Sequence, residues 1–73
     1  MQIEPTVTST ELQHELRLLY AERVLAELAG LAADQGYMDD LREDITAHES
    51  AFTGVVVTEI ATLRAELGGP LWG

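Results

Sequence analysis

Met38 to Leu67 reads MDDLREDITAHESAFTGVVVTEIATLRAEL, and its periodicity decides the fold. Met38, Leu41, Ile45, His48, Phe52, Val56, Ile60, Leu63 and Leu67 recur at spacings of three and four, which lines them along one side of a helix. Asp39, Asp40, Glu43, Asp44, Glu49, Thr53, Glu59, Thr62 and Glu66 fall between them, so the segment is amphipathic and too polar to cross a bilayer. Within it, Thr53-Gly54-Val55-Val56-Val57-Thr58 has strand-like composition. The stripe nevertheless continues in phase through Ile60, Leu63 and Leu67, and no second strand exists to pair with it, so the expectation is helix. Gly54 then marks a kink or a place where another helix comes close.

The preceding stretch reads as the partner of this helix. Thr8 and Glu11 have the spacing of a capping box, with Val7 and Leu12 placed as its hydrophobic staple. From there Leu12, Leu16, Leu19 and Arg23 form one stripe, and Leu18, Ala21, Leu25, Leu28 and Ala32 a second. Together they are wider than one partner helix covers. Ala26, Ala29, Gly30, Ala32 and Ala33 permit close backbone approach. Gly36 is the expected left-handed residue ending this helix, and Asp39 or Asp40 the cap of the next, the latter with Glu43 at capping-box spacing. The expectation is therefore an all-α, antiparallel two-helix hairpin that pairs into a four-helix bundle or packs on a larger assembly. Residues 1–7 form an extended lead-in, the helices run over about 8–34 and 39–67, and 68–73 is a tail.

Size reinforces the need for a partner. A chain of 73 residues buries only roughly 60% of its unfolded surface, and without cysteine it has neither disulfides nor thiolate metal ligands. Self-association through Leu12, Leu16, Leu18, Leu25, Leu28, Phe52, Val56, Ile60 and Leu63 is the expected remedy. Met1 to Thr10 has no basic or apolar leader pattern, and the lack of cysteine suits the cytosol, so the expected location is cytoplasmic.

Thirteen acidic residues against four arginines give a formal net charge of −9. Such a field repels nucleic acid and anionic membranes, so neither is an expected ligand. It suits a basic protein surface, and the alternative function is an acidic inhibitor occupying a nucleic-acid-binding groove. Asp39, Asp40, Glu43 and Asp44 at one end and Leu71 and Trp72 at the other are the candidate partner contacts.

Catalytic and metal readings are weak. Glu11 and His14 have the Glu-x-x-His spacing of di-iron bundles, and Asp44, His48 and Glu49 lie on the second helix. A turn near Gly36 pairs residue i with roughly 72 − i, which sets His48 level with Val24 and about 15 Å from His14. No metal site, cofactor or enzymatic activity is expected. Ser9 and Ser50 lack a recognisable His and Asp arrangement, and no Gly-rich loop follows a strand. Asp44 and His48, four apart, are expected to form a surface pair.

His48-Glu49-Ser50, seventeen residues and then Gly68-Gly69 resembles the second helix of bacterioferritin-type, ferritin-like hairpins, with Glu15-Leu16 in a place like the first helix's carboxylate ligand. Thr53 and Val56 stand where that family carries Glu-x-x-His. The resemblance, a distant alternative to the interaction reading, implies a helical hairpin that has lost its metal. The Gly68 to Trp72 end also resembles the Gly-Ser-Leu tails that load cargo into encapsulin shells, with Pro70 in place of serine.

Overall fold

The computed structural model describes residues 7–68, a stretch built from two helices and a short turn. The first helix, α1, spans Ser9–Leu28, and the second, α2, spans Gln35–Glu66, with a single 3-10 turn at Leu31–Ala33 between them. The all-helical hairpin expected from the two periodic stripes is what forms. The strand-like run Thr53 to Thr58 is helical throughout. Thr58 and Thr62 donate their hydroxyls to the carbonyls of Gly54 and Thr58, four residues back, which places these β-branched side chains on the helix surface.

α1 begins as its cap predicts. Thr8 is extended, its hydroxyl accepts from the Glu11 N–H at 3.1 Å, and the Glu11 carboxylate accepts from the Thr8 N–H at 3.0 Å. The end of α1 differs from expectation. Gly30, not Gly36, is the left-handed residue, with φ +85°, and its N–H donates to the Glu27 carbonyl while that of Ala29 donates to Leu25. α1 therefore ends six residues before residue 34. The start of α2 moves with it: Asp34, rather than Asp39 or Asp40, is the cap, its side chain accepting from the Tyr37 N–H at 3.1 Å. Gly36 lies inside the first turn of α2. The link is thus residues 29–34 instead of 35–38.

Moving the turn changes the register. Ser9 meets Glu59, Glu15 meets His48, Tyr20 meets Glu49 and Glu22 meets Tyr37. His48 consequently lies across from Glu15, not Val24. At 3.6 residues per turn the facing positions on α1 are Leu12, Leu16, Leu19, Arg23 and Ala26, the first of its two stripes. Leu12, Leu16, Ala26, Leu41 and Ile45 are buried, with Leu19, Tyr20, Tyr37 and Phe52 half-buried against the Leu16–Leu41–Ile45 cluster. With 20 residues against 32, α1 is about 30 Å long and α2 about 48 Å. Ser9 marks where α1 starts, and α2 runs on beyond it by two turns.

No helix among the described residues is long and apolar enough to cross a membrane. Residues 1–6 of the lead-in and residues 69–73, including Leu71 and Trp72, lie outside the described part of the chain.

Candidate interaction surface

The two flanks of the hairpin differ in chemistry. On one flank Tyr20 donates its hydroxyl to Glu49 at 2.6 Å, the Arg23 guanidinium lies 5.4 Å from the Tyr20 ring centroid, and Arg42 pairs with Asp39 at 2.8 Å. Of these, Arg23, Arg42 and Glu49 line a hollow of about 280 Å³ together with Met38, Leu41, Ile45 and Thr46. The Glu49 carboxylate, by accepting the Tyr20 hydroxyl proton, holds that phenol above its usual range; Glu22 does the same for Tyr37.

The other flank is apolar at both ends. Near the turn, Leu18, Ala21, Glu22, Leu25 and Ala26 of α1 join Ala29, Leu31 and Tyr37 around an open, mainly apolar hollow of about 440 Å³. Towards the open end, Val7 lies beside Ala51, Gly54, Val55, Thr58 and Glu59 of α2, lining a smaller one of about 370 Å³. Val7 thus belongs to the α2 surface. A Cβ built at Gly54 would meet nothing within 4 Å, so no close helix approach occurs there within the hairpin.

Between these ends His48 bridges the helices. Its Nε2 lies 3.0 Å from a Glu15 carboxylate oxygen and its Nδ1 2.8 Å from the Asp44 backbone carbonyl. The Asp44 contact is to the main chain, so the side-chain pair expected between these residues is replaced by a bond to the carbonyl. Both ring nitrogens face acceptors, which only the doubly protonated ring can satisfy. The Asp44 carbonyl above all, and then Glu15, raise the His48 pKa above 6.5 against the opposing effect of burial.

The two histidines are closer in level than a turn at Gly36 implies, since Glu15 adjoins His14 in sequence. His14 is exposed and points about 100° around α1 from Glu15. Among the described residues no three His, Asp or Glu side chains converge as metal ligands would.

The expected interface residues divide into two sets. Leu12 and Leu16 are buried inside the hairpin, and Phe52 and Val56 are half-buried. Leu18, Leu25, Leu28, Ile60 and Leu63 are exposed; Leu18, Leu25 and Leu28 retain 58%, 64% and 79% of their accessible surface. Ile60, Leu63 and Leu67 continue the α2 stripe past the start of α1. The four acidic candidates Asp39, Asp40, Glu43 and Asp44 are all exposed in the first three turns of α2. Successive positions about 100° apart spread them round the helix, with Asp39 and Glu43 on the side away from α1.

No protein family, curated protein or solved structure matches this sequence. The pairs missed in the sequence, Ser9 with Glu59, Tyr20 with Glu49 and Glu22 with Tyr37, depended on the register. The signal that locates it is Gly30 followed by Asp34, a helix stop and a helix start four residues apart.

Proposed function

We propose that this chain is a non-catalytic, self-associating helical protein that works through protein–protein contact, as a structural or adaptor component or as a small subunit of a larger assembly. The observation that supports it is the imbalance of its apolar surface. Among the described residues five apolar side chains are buried, whereas ten large ones stay exposed, and Leu18, Leu25 and Leu31 of the ten line one hollow. Scattered exposed leucines are ordinary on a monomer; a contiguous group is the mark of a surface that another protein covers. The alternative of an acidic inhibitor gains nothing from the arrangement of Asp39, Asp40, Glu43 and Asp44, which do not form one track.

Sedimentation velocity or light scattering of the full chain across micromolar concentrations tests the proposal. The expected result is a mass above that of the monomer that rises with concentration. A helical, cooperatively melting monomer over the whole range would reject it.

A further inference from the structure

We infer that the hollow on the Tyr20 flank is a binding site for a small organic monoanion, a carboxylate carried on a short apolar body. The self-association proposed above uses the other flank, so either can fail without the other.

The cations of the chain are the first support. There are four arginines, and two of them, Arg23 from α1 and Arg42 from α2, line this one hollow. Two guanidiniums against the single carboxylate of the lining, Glu49, leave it at a formal +1 on a molecule of −9. That balances one negative charge, which suits a carboxylate better than a phosphate dianion. Asp39, bonded to Arg42 from outside the lining, cancels the excess at longer range. Binding therefore rests on close contact, with no net field to draw the anion in.

Both guanidiniums are held in place by bonds that leave donors over. Arg23 pairs with no carboxylate among the described residues, although Glu27 stands one turn further along α1. It lies instead over the Tyr20 ring, whose hydroxyl Glu49 fixes at 2.6 Å. Arg42 is held through one nitrogen, Nη1, by Asp39 at 2.8 Å. A guanidinium is a planar fork matched to the two oxygens of a carboxylate, and here one fork comes from each helix.

The rest of the lining describes the rest of the ligand. Met38, half-buried, is an adaptable apolar wall beside Leu41 and Ile45, and Thr46 adds a hydroxyl. At about 280 Å³ the hollow lies just below the ~300–1,000 Å³ typical of ligand sites, so the body is short, of the size of octanoate.

An NMR titration of the isotope-labelled full chain with octanoate, acetate and octanol at constant ionic strength tests this. The inference expects octanoate to shift the Arg23 side-chain N–H and the backbone amides from Met38 to Glu49 in a saturable way. Acetate, which lacks the body, and octanol, which lacks the charge, should bind about tenfold more weakly, as should octanoate to Arg23→Gln. Glu49→Gln should tighten octanoate binding, because it removes the acid of the lining while its amide oxygen still accepts from Tyr20. No saturable shift in the millimolar range, shifts centred on Leu18 and Leu25, an equal response to octanol, or unchanged affinity in Arg23→Gln would each overturn the inference. Should Arg23→Gln lose its helicity by circular dichroism, the three probes on the unaltered chain still decide.

Discussion

Glu59 on α2 reaches across the open end of the hairpin and accepts both the backbone N–H of Ser9, at 3.1 Å, and its hydroxyl, at 2.7 Å. The carboxylate sits on the first turn of α1, where unpaired N–H groups and the helix dipole favour negative charge. It thereby fastens the start of one helix to the flank of the other. The Ser9 hydroxyl, then its N–H, hold the Glu59 pKa below its ordinary 4.5. A depressed carboxylate contributes stability that is present above pH 4.5 and lost as pH falls through its folded value. Glu59→Gln should therefore lower the melting temperature at pH 7 and flatten its decline on acidification, as thermal melts between pH 3 and 7 would reveal.

His48 titrates with the opposite sign. Its folded pKa is raised above 6.5, so its contribution is complete below pH 6.5 and disappears as pH rises through the folded value. The charged groups around it are Glu15 on α1 and Asp44 on its own helix. A proton NMR titration should place the His48 midpoint above 6.5. Glu15→Gln should lower it only in part, because the Asp44 carbonyl, the larger cause, remains.

Leu16 and Leu18, two residues apart, should respond very differently to truncation. Leu16 is 7% exposed and Leu18 58%. Leu16→Ala should cost about 2–5 kcal/mol, a large part of what a hairpin this size has. Leu18→Ala should stay within about 0.5 kcal/mol in urea melts at concentrations too low for association. Equal costs for both would mean that the assignment of the two α1 faces is mistaken.

Two glycines make a second contrast. Gly54 lies in the interior of α2 with ordinary helical backbone and open space where a Cβ would go, so Gly54→Ala should stabilise by about 1 kcal/mol and raise the melting temperature by roughly 4–8 °C. Gly30 also has open space around it, but its φ is +85°. Gly30→Ala should be destabilising, by about 1–2 kcal/mol.

Legibility in the sequence ended at the turn. The Thr8–Glu11 box, the helical reading of Thr53 to Thr58 and the two stripes of α1 are local patterns, and local patterns survive into the fold. Leu31-Ala32-Ala33 looks helical by propensity, and Gly36 competes with Gly30 for the role of stop. What separates them is the spacing of Gly30 and Asp34, whose bonds are local, and the packing of Ala26, which depends on the other helix. A turn displaced by a few residues then shifts the register along the whole hairpin, which is why Glu15 opposite His48 was invisible while Leu16 and Ile45 as core were not. The apolar hollow beside Leu25 was legible only as an excess stripe, without its boundary at Leu31 and Tyr37.

The side-chain bonds that tie α1 to α2 share one property: a glutamate accepts in each, from Ser9, Tyr20, Tyr37 or His48. Three of the four donors are uncharged. Brine dissolves the attraction between opposite charges within a Debye length, but it has little grip on a hydroxyl hydrogen held by a carboxylate. Meanwhile it quiets the mutual repulsion of thirteen acids. A protein knit this way should be tougher in strong sodium chloride than in dilute buffer, and its melting temperature should climb as the salt is raised, the reverse of a fold sewn together by lysine and aspartate.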